Sequence, residues 1–304
     1  MSFRSVPPPP VLPLRFLSPP PVLRQQVQAI WCLDTRRAAM TAGTRDDWQG
    51  GWQEDRAFMH PDGGTGFLLN LGRPLPPRGP GEGPLGWLGW EGVQSVSGTL
   101  IPETGWLSYG VRFHPGGARR FWDGLPMLQT STEALEALHG NPLRRLYQRL
   151  GEAQDTDTGL GYFAQWLAER LTQRSADGVV PRRQVTAEDA GRHALAAVMA
   201  AVSKAGSVAE AATQLHVSRR ALERRFADHV GVSPKQYARI QRIAEARALL
   251  KRAPLATQAE LAQQLGYFDE AHFIRDFRAM VGLTPGQYAR RRSPFPAAAR
   301  LALA

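Results

Sequence analysis

Arg219, Arg220, Glu223, Arg224 and Arg225 crowd into one short stretch, "RRALERR". Placed on a helix at about 100° per residue, Arg220 and Arg224 fall one turn apart on a single face, with Leu222 and Phe226 opposite. A guanidinium is a planar fork of donors, and guanine offers O6 and N7 as a matching pair of acceptors. Glu223, on the flank, can accept from an amino group such as that of cytosine. Arg219 and Arg225 point to the sides, where phosphates suit them better than base edges. Basic residues on a surface helix usually do no more than meet water, so the pattern acquires meaning only from the elements that hold it.

Those elements occur twice. "HVSRRALERRFADHVGVSP" (216–234) and "YFDEAHFIRDFRAMVGLTP" (267–285) share a skeleton at a spacing of 51 residues: Leu222 with Phe273, Arg224 with Arg275, Phe226 with Phe277, Gly231 with Gly282, Pro234 with Pro285 and Tyr237 with Tyr288. Each copy opens on a capping box, Ser207 to Glu210 and Thr257 to Glu260. A short Ala/Leu helix, a tight turn and a second helix capped by Ser218 or Asp269 follow. The second turn is one residue longer than the first. Helix, tight turn, helix is the arrangement in which the second helix enters a DNA major groove. In the second copy Phe273 and Phe277 face inward while Ala271 and Arg275 face out. Asp269, Glu270 and Asp276 make this helix less welcoming to phosphate, and His272 sits on its flank beside the core. Pro234–Arg252 contains no glycine and no internal proline, which predicts one helix about 28 Å long. Successive major-groove faces lie about 34 Å apart, so a rigid helix there would serve two adjacent grooves.

The charge distribution agrees. The 304-residue chain carries a net charge of +10, and residues 186–293 hold 17 Lys and Arg against 10 Asp and Glu. A basic balance of this size favours a polyanionic partner. Cys32 is the only cysteine, so no internal disulfide is possible and a reducing compartment is expected. The proline-broken N-terminus lacks a signal-peptide core, and no apolar run approaches the roughly 18 residues of a membrane span. A cytoplasmic protein without membrane attachment is the expectation.

Residues 1–20 are proline-rich and expected to be extended or disordered. Residues 21–126 read as β structure, with short apolar runs between Gly/Pro turns and seven of the eight tryptophans. Residues 127–180 read as helices: a short one capped by Ser131 and stopped at Gly140, then two amphipathic ones. In the last, Phe163, Trp166, Leu167 and Leu171 share a face. "RSADGVVPRRQ" (174–184) is a linker candidate, and 187–293 is the duplicated helical unit. The fold class is therefore α+β and multidomain, with an N-terminal β-barrel or sandwich, a helical linker and an all-α double helix-turn-helix.

At this point the residues resemble a known family. About Arg192 to Arg292 is similar to the DNA-binding domain of AraC/XylS-type transcription regulators, through "SVAEAATQLHVSRRALERRF", "GVSPKQYARIQRIAEARALL" and "LAQQLGYFDEAHFIRDFRAMVGLTPGQYARR". The resemblance implies a transcription factor in which Arg220, Glu223 and Arg224 read bases and Ala271 and Arg275 form a second reading face. The acidic Asp269–Glu270 pair departs from the pattern at the second half-site. More loosely, "HPDGGTGFLLNL" and "GVRFHPGGARRFWDG" resemble sensor domains of an uncharacterised branch of that family, whose usual sensor is a cupin-like β-barrel with a helical dimerisation element. Implied partners are double-stranded DNA, RNA polymerase, a small-molecule effector and a second copy of the chain. Arg112 and His114 are the first choices for effector contact. His60, His114 and His139 lack the paired spacing of a cupin metal site, so neither metal nor other cofactor is expected, and Trp87, Trp90, Trp106 and Trp122 read as core. The competing reading is an enzyme carried on the β domain with accessory DNA binding. No catalytic constellation supports it, and the chain is read as a non-enzyme.

Overall fold

The computed structural model describes residues 13–36, 57–75, 86–100, 103–122, 127, 131–176, 197–203, 207–252 and 257–290. The linker candidate at 174–184 lies almost wholly outside them, as do residues 1–12.

Seven strands are described: β1 Leu14–Leu17, β2 Val27–Asp34, β3 Ala57–Met59, β4 Thr65–Asn70, β5 Leu88–Glu91, β6 Gly98–Leu100 and β7 Leu107–Phe113. Five form an antiparallel sheet in the order β1-β2-β7-β4-β5, and β3 pairs with β6 in a separate two-stranded piece. The pairings described leave the larger sheet open, so closure into a cupin-like barrel is not among them. Period-two alternation divides its side chains. Ile30, Cys32, Phe67, Leu69, Tyr109 and Val111 face one core, and Leu33, Leu68 and Trp106 face a smaller one on the other side. Trp90, Trp106 and Trp122 are buried, as expected of core residues, while Trp87 packs at the edge.

Within residues 1–20, read as extended or disordered, Leu14–Leu17 takes the extended alternative as a strand and is not disordered. Its register with Ile30–Leu33 pairs the segment with β2, a non-local constraint invisible beside the prolines around it. A correction concerns Gly140. Helix α1 runs unbroken over Thr132–Gly151 through Gly140 and Pro142. Leu135, Leu143, Leu146 and Leu150 form one buried stripe, and packing that stripe outweighs the local stop signals. Pro142 removes the donor that would reach the carbonyl of Leu138, an exposed residue, where water can replace it. Ser131 caps the helix by accepting from the Ala134 N–H. Helix α2, Thr156–Ala176, buries Phe163, Leu167 and Leu171 as expected, with Trp166 partly buried beside them. Both helices pack on the sheet, α1 against β5 and α2 against β1, β2 and β7.

After a helical stretch at 197–203, six helices follow: α3 Val208–Gln214, α4 Arg219–His229, α5 Pro234–Arg252, α6 Gln258–Gln264, α7 Glu270–Val281 and α8 Pro285–Arg290. They enclose two cores. Ala211, Leu222, Phe226 and Val230 fill the first, together with Tyr237 from the start of α5. The second takes Ile240, Ile243, Ala246 and Leu250 from the rest of α5, with Phe273, Phe277 and Tyr288. Gly231 and Gly282, at φ 92° and 82°, end α4 and α7 in the left-handed conformation that glycine tolerates.

The turns inside the two units are built alike despite their different lengths. Val217 donates to the Ala212 carbonyl at 3.0 Å and His216 to Thr213 at 3.1 Å; Tyr267 donates to Ala262 at 2.9 Å and Gly266 to Gln263 at 3.1 Å. These are paired Schellman closures. The left-handed position holds Gly266 (φ 70°) in the second unit but His216 (φ 51°) in the first. A side chain there costs about 1–2 kcal/mol. His216→Gly is expected to raise stability by about 0.5–1 kcal/mol after the entropy of the added glycine is offset, while Gly266→Ala lowers it by about 1–2 kcal/mol. Urea denaturation reads both, and no change in either would contradict the turn geometry.

Candidate nucleic-acid interface

Ser218 starts α4 by accepting from the Ala221 N–H at 3.1 Å. The buried Leu222 and Phe226 fix the rotation of the helix. Arg219, Arg220, Glu223, Arg224 and Arg225 are consequently all exposed. Ser218, Arg220, Ala221, Glu223, Arg224 and Ala227 line one open concavity along this face. The structure thus brings Arg220, Glu223 and Arg224 together, with Arg219 and Arg225 exposed outside this concavity. Glu223 accepts from Arg219 at 2.9 Å, with the two side chains 45% and 71% exposed. A surface pair at this spacing contributes only about 0.3–0.5 kcal/mol, so an incoming acceptor or donor can replace it.

Helix α7 presents the second face. Asp269 caps it by accepting from the His272 N–H at 2.6 Å, and Phe273 and Phe277 turn inward. Ala271 and Arg275 are exposed. His272, exposed on the flank, sets its ring edge-on to Tyr267, centroids 5.2 Å apart. Asp276 needs correction. Its carboxylate accepts from the Arg239 guanidinium and, at 2.7 Å, from the Tyr267 hydroxyl, and its side chain is only 11% exposed. It braces α7 against α5 rather than repelling phosphate, so the acidic burden of this face is smaller than composition suggests.

Helix α5 spans all 19 residues from Pro234 to Arg252, about 28 Å. Both ends are secured. Ser233 accepts from the Gln236 N–H at 3.2 Å, and Lys251 donates to the Tyr288 carbonyl at 3.1 Å.

Sequence reasoning missed how the β domain holds this assembly. Arg119 donates to the Asp228 carbonyl in the last turn of α4 at 2.6 Å. Ser97 donates from its backbone N–H to the Met280 carbonyl in the last turn of α7 at 2.7 Å. Each bond satisfies a carbonyl that a helix end leaves without an internal partner. Between them Val93 packs against both helical cores. The loop at 60–64 lies on α5: Gln241 donates to the Asp62 carbonyl at 2.9 Å, and Gly63 sits against the Tyr237 ring. His60 meets Tyr288 edge-on with centroids 5.4 Å apart, and its Nδ1 lies 2.7 Å from the Ser97 hydroxyl.

Arg112, selected as an effector contact, is clamped under that loop. Its Nε donates to Asp62 at 3.2 Å, a second donor closes the pair, and the side chains are 12% and 20% exposed. Burial pulls the pKa of Arg112 down, but the Asp62 carboxylate outweighs it and holds the group charged. Burial likewise lowers the pKa of His114, against the pull of Asp62. His139 lies elsewhere, 3.2 Å from Arg170, and among the described residues no group of three or more His, Cys, Asp or Glu is placed to hold a metal ion. Burial pushes the Cys32 thiol up to about 12, so it is a core side chain and not a nucleophile. No described helix is long and apolar enough to cross a membrane.

With this geometry in hand, known proteins provide an independent comparison. Residues 211–291 match the family model described as a helix-turn-helix domain. The chain is 40% identical over 70 residues to the uncharacterized HTH-type transcriptional regulator YpdC of Escherichia coli, covering 23% of this chain and 24% of that protein. It is 31% identical over 157 residues to the HTH-type transcriptional regulator GlxA of Rhizobium meliloti, covering 49% and 47%. A crystal structure of a transcriptional regulator from Chromobacterium violaceum with an AraC-type DNA-binding domain is 28% identical, covers 33% of this chain and 90% of its own, and has a TM-score of 0.30. The chain thus spans from about a quarter to about half of the length of these curated relatives.

The part-buried Arg112–Asp62 pair generates a direct test. Asp62→Ala takes the hydrogen-bonded carboxylate from a part-buried guanidinium that Glu91 still faces, which is expected to cost about 1.5–3 kcal/mol. Chemical denaturation followed by tryptophan fluorescence measures it, and an unchanged midpoint would show that the pair holds nothing together.

Proposed function

We propose that this chain, whose residues 211–291 form an AraC-type helix-turn-helix domain, is a sequence-specific transcription regulator that reads two adjacent major grooves with one polypeptide. The observation that carries the proposal is the outward display of Arg220 and Arg224 on α4, and of Ala271 and Arg275 on α7, from helices braced on one uninterrupted α5. Net positive charge steers the protein to DNA. Arg219 and Arg225 then meet phosphates, which set register, while Arg220 and Arg224 take guanine edges and Glu223 accepts from a cytosine amino group. The second helix contributes Arg275, with Ala271 leaving room for close approach. In this reading the chain catalyses no reaction and works in the cytoplasm.

Residues 21–126, with the helices up to about 180, form the sensing and dimerising part, and residues 187–293 form the reading part. Arg112 and His114 are the polar groups we assign to effector contact. A small anion that competes with Asp62 for Arg112 would free the 60–64 loop from α5, which gives a bound effector a physical route to the DNA-binding helices. RNA polymerase is the partner through which the bound regulator would act.

The test begins with genome-wide mapping of bound sites, followed by footprinting on a recovered site. Arg224→Ala is expected to lose the footprint, with discrimination falling by about 1–3 kcal/mol at the guanine it contacts, while circular dichroism and denaturation midpoint stay as in the parent. An unchanged footprint would remove Arg224 from the reading face. Failure of the parent protein to prefer any sequence as salt rises would refute the regulator reading itself.

A further inference from the structure

Phe268 is 94% exposed, far more than the other large apolar side chains on the described surface: Val22 at 53%, Val96 at 55% and Leu138 at 60%. Single exposed apolar residues are common and need no explanation. Three observations separate this one from that background. First, it is the residue that makes the second turn longer than the first. His216 and Gly266 occupy equivalent closures, Val217 and Tyr267 follow them, and Ser218 and Asp269 are the caps, so Phe268 has no counterpart in the first unit. Second, it stands immediately before the cap of α7, where an apolar side chain ordinarily folds back onto the fourth helical residue as a staple. That partner would be Phe273, but Phe273 is wholly buried and is met by Tyr267, ring centroids 5.4 Å apart. The staple role is taken, and the Phe268 ring projects into solvent. Third, it lies at the N-terminal end of the helix bearing Ala271 and Arg275, the end of a recognition helix that contacts base edges.

The chemistry of its neighbours narrows what the ring can meet. Asp269 and Glu270 adjoin it and disfavour phosphate. An apolar ring and a carboxylate at the mouth of the groove are compatible with the one apolar feature a major groove offers, the C5-methyl of thymine. Resting on the regulator reading above, we propose that Phe268 is a specificity-determining residue of the second half-site and packs against a thymine methyl group. It supplies apolar readout where the first unit uses arginines.

The test uses the full-length chain and a duplex carrying a site recovered by genome-wide mapping. Each thymine in the half-site read by α7 is replaced in turn by deoxyuridine, which lacks only the methyl. The parent protein is expected to weaken about fourfold at one or two of these positions, the factor corresponding to loss of one buried methyl. Phe268→Ser is expected to weaken by a similar factor on the thymine duplex and to lose no more on deoxyuridine. Because the ring is exposed, the variant should retain its denaturation midpoint. Indifference of the parent to every deoxyuridine replacement would overturn the proposal. So would a Phe268→Ser protein that binds and discriminates normally but fails to stimulate transcription in vitro, since the ring would then face a protein partner. In both cases sequence-specific binding by the parent would leave the regulator reading standing, whereas absence of any preferred site would remove both.

Discussion

Everything in the helical region depends on the continuity of α5. Its first turn gives Tyr237 to one core, and its later turns give Ile240, Ile243, Ala246 and Leu250 to the other. Helices α4 and α7 are therefore placed relative to each other by a shared structural member instead of a flexible tether. A break would separate the cores, release the Arg239–Asp276 brace and leave each unit with an isolated reading face. The absence of glycine and internal proline from Pro234 to Arg252 is the sequence property that prevents this.

The β domain acts on the same member. Its loop at 60–64 rests on α5, while Arg119 and Ser97 reach carbonyls in the last turns of α4 and α7. Those bonds meet the helices at the ends away from the N-terminal residues proposed to face a groove, so the contact would leave the proposed DNA-binding ends open. Val93 fills the space between the two cores. The spacing of the reading faces is thus supported from two sides, by α5 within the domain and by the β domain across it. The Arg112–Asp62 pair, at the base of the loop, joins that support to the interior of the sheet.

The helical half was largely legible from sequence because its signals are local. Caps at Ser218, Thr257 and Asp269, glycines at 231 and 282, and prolines at 234 and 285 act within a few residues and recur in register. The buried Leu222, Phe226, Phe273 and Phe277 then orient Arg220, Arg224, Ala271 and Arg275 outward by helical geometry alone. What failed to show depends on distant partners. Asp276 reads as surface charge until Arg239, 37 residues away, is seen to engage it. Gly140 reads as a stop until Leu135, Leu143 and Leu146 are seen buried on one stripe. Leu14–Leu17 becomes a strand only through β2. Ser97 and Met280 lie 183 residues apart, and no periodicity joins them.

The central claim is that one rigid chain spans two grooves on one face of the duplex. It is tested most directly by changing the spacing of the two halves of a bound site and measuring affinity. Inserting about half a helical turn, roughly five base pairs, places the second half on the opposite face, and binding is predicted to fall to that of a single half-site. Inserting a full turn should not restore it, because α5 cannot lengthen. Equal affinity for all three spacings would mean that the two units move independently, and the account built on α5 would be wrong.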